Sequence, residues 1–165
     1  MAALADIQYA VHAPNAYICD HHQQLLPEWS RPARSLLVVL QRCPMSPTPP
    51  SQAVEASKNL LRDRFLALAE TIAQPLMSQG HLVTYFDPKT GLPANSPVGS
   101  MAIDDVAVAR SLLGYERICN NQCWCLVHPI WGQAVYPSTL VSSASHHHLL
   151  EVVQQVLLLH VDAPS

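Results

Sequence analysis

The chain has 165 residues, of which 49% are hydrophobic and 13% are charged, and its formal net charge is -3. This length suits a single domain spanning residues 1–165 with an ordinary buried core. The charge argues against a nucleic-acid partner, which would favour a basic surface. No apolar stretch reaches the roughly 18 residues that span a bilayer, and residues 1–6 lack a secretory signal pattern. We therefore expect a soluble cytoplasmic protein with reduced cysteines, although an organellar location stays open.

The first third of the chain predicts two strands. Residues 7–11 alternate weakly and indicate a short strand, and residues 17–29 indicate a short helix or turn stopped by Pro27. Residues 35–43 contain an unbroken run of Leu and Val, which is typical of a buried central strand. The proline-rich residues 44–52 predict an exposed connection inside the domain rather than a boundary.

The longest helix is predicted over residues 53–79. Its apolar residues recur at spacings of four, three and four, which places them on one face; they are Leu61, Phe65, Leu68 and Ile72. Ser51 is a candidate N-cap, Gly80 a candidate stop, and Pro75 should kink or break the last turn. Residues 81–86 then predict a strand that enters a turn-rich loop over residues 87–93.

Two more helices follow. Residues 103–113 predict a helix with Asp104 and Asp105 in its first turn, where carboxylates suit the helix dipole. The C-terminal helix has an apolar stripe, which predicts a buried face; its members are Leu149, Val152, Val153, Val156, Leu157 and His160. The order of elements predicts an α+β fold in which helices cover a mostly antiparallel sheet.

Between these helices, three of the five cysteines lie within seven residues. They are Cys119, Cys123 and Cys125, and His128 follows. Alternation along residues 123–128 predicts a strand with Cys123 and Cys125 on one face and His128 on the other. The Pro-Ile-Trp-Gly segment predicts a hairpin turn into a second strand over residues 133–136. Cys119 and Cys123 would then lie on the loop that enters this hairpin.

Several kinds of chemistry are compatible with this cluster. Cys119, Cys123, Cys125 and His128 could supply four zinc ligands, although no second cysteine pair accompanies them. A catalytic thiol with His128 as its base is disfavoured by the opposite strand faces. Buried free cysteine behaves as a small apolar residue, which we expect for Cys19, Cys43 and Cys125. Cys119 and Cys123, beside Asn and Gln, are expected on an exposed loop where a thiol is usable.

Other polar clusters carry weaker signals. His146 to His148 and the pair His21 and His22 are interpreted as solvated residues rather than metal ligands, because adjacent helix residues do not face one another. Asp87 is expected to cap its own turn. The sequence contains no glycine-rich phosphate loop and no Gly-x-Ser-x-Gly motif.

Three ordered blocks resemble a known family. They are Leu113-Gly-Tyr115, Cys123-x4-His128-x2-Trp131-Gly132, and, upstream, Phe86-Asp-Pro-x-x-Gly-Leu92. Their order and spacing resemble the C-terminal domain of the methylmalonic aciduria and homocystinuria type D protein family, the CblD-type cobalamin trafficking proteins. The resemblance covers residues 53–163 and, more weakly, the strand near Leu36.

The resemblance implies a nitroreductase-like α+β fold without a flavin of its own and without enzymatic activity. It implies an adaptor that docks with a CblC-type cobalamin-processing protein and helps to pass cobalamin towards methionine synthase and methylmalonyl-CoA mutase. A hairpin cysteine, Cys123 or Cys119, would contact the cobalt that the partner holds. Trp124 and Trp131 would supply apolar interface area. Self-association stays open, and so do a zinc-stabilised structural domain and, as a weaker alternative, a flavin-dependent reductase.

One position departs from the family pattern. Vertebrate members have a Gly-Cys-Cys segment before the strand, and the first of those cysteines is the one associated with cobalt. Gln122 occupies that place here, and Cys123 occupies the second. The resemblance therefore leaves three alternatives: Cys123 takes over the contact, Cys119 reaches the metal, or no thiolate ligates cobalt.

Overall fold

Strands and helices alternate along the residues that the computed structural model describes, which are 2–45 and 50–161, with side chains for residues 5–45 and 50–159. The strands are β1 Ala2–Leu4, β2 Ile7–His12, β3 Ser35–Arg42, β4 Val83–Tyr85, β5 Glu116–Asn120, β6 Cys123–Val127 and β7 Val135–Ser142. The helices are α1 Ala16–Leu25, α2 Gln52–Ser78, α3 Asp105–Leu113 and α4 His146–Val161. Among the described helices, none combines the length and the apolar composition needed to cross a membrane.

Five strands form one antiparallel sheet in the order β1-β2-β3-β7-β4, and β5 and β6 form a separate two-stranded hairpin. β3 lies at the centre, and every residue of it except Arg42 is buried. An unbroken apolar strand requires cover on both faces. The α+β prediction with a mostly antiparallel sheet is confirmed, and the nitroreductase-like comparison stays a prediction.

The two faces of β3 build two apolar cores. Leu37 and Val39 pack with residues of α2 and α4 on one face. Leu36 and Val38 face the other way, towards α1, α3 and the hairpin. Because alternate strand residues point to opposite faces, a single run of Leu and Val supplies both cores. The second core fixes the hairpin against the sheet.

The helices agree closely with the prediction. The Ser51 side chain accepts the Val54 N–H at 3.1 Å, as an N-cap does. The predicted stripe of α2 is buried. Pro75 lies inside α2 without ending it, because the helix continues to Ser78. α3 begins one residue later than Asp104, which is its N-cap and accepts the Ala107 N–H at 3.0 Å.

The stripe of α4 is buried as predicted at the five positions whose side chains are described, which are Leu149, Val152, Val153, Val156 and Leu157. The side chain of His160 lies outside the described residues. Of the proline-rich connection, residues 46–49 also lie outside them, and the flanking residues 44, 45, 50 and 51 are exposed.

The predicted hairpin across residues 129–132 is wrong. β6 pairs with β5, so the hairpin runs through Asn121 and Gln122, one turn earlier in the chain. A bridge between His128 and Gly132 closes only the turn after β6. β7 then pairs with β3 and β4 in the main sheet. β5 was not predicted because its sequence, Glu-Arg-Ile-Cys-Asn over residues 116–120, has no alternation of apolar and polar residues.

Over residues 135–137, none of the described strands pairs with β7 on the side away from β3. β4 pairs with β7 only from Leu140 to Ser142. The Phe86 N–H donates to the Thr139 carbonyl at 3.1 Å on that side. Pro137 precedes Thr139 by two residues, so its backbone points to the same side, where it has no N–H to donate. The edge over residues 135–137 is therefore open on the side away from β3.

Candidate functional site

A cleft of about 360 Å³ opens beside this uncovered edge of β7. The other walls come from β6, from the loop after β4, and from the residues that begin α3. Its lining comprises Cys43, Lys58, residues 88–91, residues 103–106, residues 123–126 and residues 135–137. The fold thus brings Cys43 to the same concave surface as Cys123 and Cys125, which lie about 80 residues further along the chain.

The hairpin that forms one wall turns within two residues. Asn121 and Gln122 both have positive φ, at 48° and 66°. Two left-handed residues give the turn whose twist matches that of the flanking strands. Cys119 lies within β5 and Cys123 is the first residue of β6, so neither is on the turn, contrary to prediction. Gln122 is the second residue of this turn.

Strand pairing separates the hairpin thiols onto two faces. Cys119 lies opposite Trp124, whereas Cys123 lies opposite Asn120 and Cys125 lies opposite Ile118. Residues directly opposite one another share a face, and successive residues alternate. Cys123 and Cys125 therefore share one face, as predicted, and Cys119 is on the other. The four-ligand zinc set that includes Cys119 is not assembled.

The cysteines differ in exposure. Cys19, Cys119 and Cys123 are exposed, Cys125 is intermediate and Cys43 is buried. The buried role is confirmed for Cys43 and wrong for Cys19, which lies on the solvent side of α1. Cys125 belongs to the cleft wall rather than to the core. Burial raises the pKa of the Cys125 thiol, and the neighbouring Cys123 raises it further, while the Asn120 amide and Lys58 oppose this.

His128 is fully occupied as a structural residue. It is 2% exposed, and its Nδ1 accepts the N–H groups of Ile130 and Trp131, each at 3.0 Å. Its Nε2 lies 2.8 Å from Gln8 Oε1, so a neutral ring with the proton on Nε2 satisfies all three bonds. Burial lowers the His128 pKa, which favours that neutral form. His128 has no free nitrogen for a metal or a catalytic thiol.

The two tryptophans have different environments. Trp124 is 46% exposed, and the guanidinium of Arg117 lies 4.1 Å from its ring centroid. Trp131 is partly buried, packs against the second core and stacks on His128 with 4.3 Å between ring centroids. Part of the Trp124 ring is therefore exposed to solvent. Trp131 instead packs within the turn that follows β6. Their roles in partner binding stay predictions.

Asp105 is the residue that the sequence did not reveal. It lines the cleft, and its Oδ1 accepts the Thr139 hydroxyl at 2.6 Å. Burial, with smaller contributions from Asp104 and Asp87, raises the pKa of Asp105 to about 7, although the Thr139 hydrogen bond acts to lower it. Tyr136, also in the lining, has a pKa raised mainly by burial and then by Asp105. Asp105 was predicted only as a partner of the helix dipole, since its contact with a strand 34 residues away has no local signal.

Asp87 shapes the rim of the cleft. Its Oδ1 accepts the Lys89 N–H at 2.9 Å, which confirms that it caps its own turn. Its two oxygens also accept from Nε and Nη2 of Arg62, at 2.8 and 2.6 Å. This paired contact lowers the Asp87 pKa. The loop of residues 87–93, part of which lines the cleft, is thereby tied to α2.

The remaining histidines do not converge. His148 contacts Gln79 through Nε2 and lies 5.6 Å from the ring of His81, while the ring of His21 bonds to the Tyr17 carbonyl. Across the described parts of the chain, no group of three or more His, Cys, Asp and Glu side chains is arranged to hold a metal ion.

The family model described as methylmalonic aciduria and homocystinuria type D protein matches residues 1–156. The chain belongs to this family. The resemblance drawn from three short blocks is thus confirmed, and the match extends over β1, β2 and α1 as well. Three similar proteins carry the name cobalamin trafficking protein CblD. They come from Mus musculus (21% identical over 141 residues), Gallus gallus (24% over 140) and Homo sapiens (22% over 141).

These matches cover 86%, 85% and 86% of this chain but only 48%, 47% and 48% of the respective relatives. The chain therefore spans about half the length of the curated relatives it matches. The family match over residues 1–156 includes the residues of the hairpin and of the cleft lining.

Proposed function

We propose that this chain is a non-enzymatic adaptor in cobalamin metabolism, which docks with a CblC-type cobalamin-processing protein and contacts the cobalt of the cobalamin held there through Cys123. The observation that carries the proposal is the position of Cys123. Its thiol is exposed at the first residue of β6, beside an open cleft, in a chain whose relatives are named cobalamin trafficking proteins.

The chemistry of a thiol suits this role. Thiolate sulfur is a soft ligand, which a polarisable cobalt centre accepts well. Coordination itself removes the thiol proton, so the site needs no dedicated base. Cys123 is favoured over Cys119 because Cys123 lines the cleft and Cys119 is not among its lining residues. A metal presented by a partner at the cleft would meet Cys123 first.

The surroundings of Cys123 support docking. Ile118 and Trp124 on the hairpin are 41% and 46% exposed, and Ile130 in the following turn is 81% exposed. Exposed large apolar and aromatic side chains that lie close in the chain are typical of the centre of a protein interface. Burying them against a partner would add binding energy around the thiol. The arginine that stacks on Trp124 adds a polar neighbour of the kind enriched at interfaces.

The arrangement also favours a ligand over a nucleophile. A catalytic cysteine is activated by an adjacent general base. The nearest histidine along the chain, His128, spends both ring nitrogens on Gln8 and on backbone N–H groups. Cys123 can therefore offer its sulfur to a metal without an activated attack on a substrate. We accordingly propose that the chain has no enzymatic activity and no tightly bound cofactor of its own.

The test uses the reduced protein mixed with a cobalamin-loaded CblC-type partner. We expect a complex on gel filtration and a change in the cobalamin absorption spectrum. Cys123→Ser should keep the complex and lose the spectral change, because serine is a poor ligand for a soft metal. Cys119→Ser is the matched control, since that thiol is also exposed on the hairpin, and it should keep both.

Two results would contradict the proposal in different ways. Failure to form any complex would refute docking. A complex in which Cys119→Ser, and not Cys123→Ser, loses the spectral change would assign the cobalt contact to the other face of the hairpin.

A further inference from the structure

Cys123 and Cys125 are placed to react with each other. They are separated by one residue in β6 and share a face of the hairpin. At a rise of about 3.2–3.4 Å per residue, their Cα atoms are about 6.4–6.8 Å apart. Disulfides usually join Cα atoms that are about 4.4–6.8 Å apart. The pair therefore lies at the upper limit of that range. A disulfide also needs Cβ atoms about 3.5–4.5 Å apart, whereas same-face residues of an extended strand have parallel side chains, so the end of β6 must contract from its extended conformation before the bond forms.

The position of the pair at the strand end makes such a contraction feasible. Cys123 follows directly after the two-residue turn, and its pairing with Asn120 is the last of the hairpin ladder. One thiol of the pair is exposed, and the other is half-buried in the cleft wall. A small oxidant can thus reach Cys123 first.

We propose that Cys123 and Cys125 are a redox-active dithiol, which is converted to an intrachain disulfide by exchange with a low-molecular-weight disulfide such as glutathione disulfide. The Cys123 thiolate attacks one sulfur of glutathione disulfide, and the first glutathione leaves as a thiolate. The Cys125 thiolate then attacks the Cys123 sulfur of the mixed disulfide, and the second glutathione leaves. The two protein thiols lose two electrons and two protons, and one glutathione disulfide becomes two molecules of glutathione.

The other cysteines are poor partners for this reaction. Cys119 points to the opposite face of the hairpin. Cys43, directly after β3, lines the same cleft but is buried, so glutathione disulfide reaches it less readily than Cys123. A disulfide that must contract a strand is strained, and strained disulfides are more easily reduced than structural ones. The bond between Cys123 and Cys125 would therefore open again in excess glutathione, which makes it reversible.

The consequence for cobalt rests on the proposed function. A sulfur held in a disulfide carries no thiolate, so oxidation would withdraw Cys123 from any metal that a partner presents. The exchange itself needs neither the partner nor cobalamin. It is measured on the isolated chain, so a failure of the exchange and a failure of the adaptor role are separate results.

The experiment uses intact-mass measurement of a Cys19→Ser/Cys119→Ser background, which removes the two other exposed thiols. After incubation with glutathione disulfide, we expect this protein to lose the mass of two hydrogen atoms. Peptide mapping should place the bond between Cys123 and Cys125. Excess glutathione should restore the starting mass. Adding Cys125→Ser should instead trap one glutathionyl group on Cys123, because the second thiol is missing.

Three results would overturn the proposal. In the first, the background protein accumulates a stable glutathionyl adduct and does not lose hydrogen. In the second, the bond maps to Cys43. In the third, the Cys125→Ser protein loses hydrogen as fully as the background does. Circular dichroism identifies a variant that fails to fold. In that case, peptide mapping of the unsubstituted chain after glutathione disulfide treatment tests whether Cys123 and Cys125 form the bond.

Discussion

Replacing Asp105 by Asn should stabilise the protein, and the gain should grow with pH. Asp105 lines the cleft and its Oδ1 accepts the Thr139 hydroxyl at 2.6 Å, a bond that the Asn carbonyl can also accept. Burial, with smaller contributions from Asp104 and Asp87, raises the pKa of the carboxyl from 3.8 to about 7 in the folded state. The folded protein therefore holds this proton more tightly than the unfolded chain does.

The sign and size follow from this difference. Between pH 3.8 and about 7, the folded state binds more protons than the unfolded state, so stability falls as pH rises. Each unit of pKa difference is worth about 1.4 kcal/mol. The full loss above pH 7 is therefore about 4 kcal/mol, and it is an upper limit because solvent in the cleft reduces the cost of the charge. Asn carries no charge at any of these pH values and avoids the loss.

Urea denaturation at a series of pH values tests this reasoning. We expect Asp105→Asn to match the unsubstituted protein near pH 4 and to exceed its free energy of unfolding by about 2–4 kcal/mol at pH 8. Asp20→Asn, on the exposed side of α1, is the control and should change stability by less than about 0.5 kcal/mol. A difference between Asp105→Asn and the unsubstituted protein that stays constant from pH 4 to pH 8 would refute the raised pKa.

Three further predictions concern the hairpin and the turn after it. Cys125→Ser should lower the melting temperature more than Cys123→Ser. The half-buried hydroxyl at position 125 must find a hydrogen-bond partner or cost about 1–3 kcal/mol, whereas position 123 is exposed to water. Equal melting temperatures of the two variants would contradict this. Gln122→Gly should raise the free energy of unfolding by about 0.5–1 kcal/mol, because Gln122 has a φ of 66° and glycine adopts such left-handed backbone angles without strain. A urea titration that shows destabilisation would argue against the two-residue turn. His128→Ala should cost about 2–4 kcal/mol, since it leaves the N–H donors of Ile130 and Trp131 without an acceptor and a buried volume unfilled. It should also weaken acid sensitivity, because burial lowers the His128 pKa in the folded state, so stability is lost as pH falls from the unfolded pKa towards the folded one. Thermal melts at pH 5 and pH 7 measure both effects.

Elements whose pattern is local were predictable. The stripe of α2 and the Leu-Val run of β3 appear in the sequence with the period of the structure they form, and both are buried. The N-cap Ser51 was recognisable for the same reason, since a cap acts within three residues. The shared face of Cys123 and Cys125 followed from strand alternation alone and needs no knowledge of the partner strand.

Features that depend on distant segments were not predictable. The hairpin was assigned to the wrong turn because Pro-Ile-Trp-Gly has turn chemistry, whereas Asn121 and Gln122 adopt a left-handed turn that usually contains glycine. Placement of Asp105 in the cleft depends on its contact with Thr139. The hydrogen bond between His128 and Gln8 joins residues 120 apart in the chain. No periodicity within a short window carries such information.

The open edge of β7 has a consequence for how the protein behaves at high concentration. An uncovered strand edge offers a ladder of N–H and C=O groups to any extended chain, and such ladders seed aggregation. Pro137 interrupts that ladder where β4 stops covering β7, because it has no N–H to offer. Pro137 therefore disfavours extension of the sheet by a second molecule at this point.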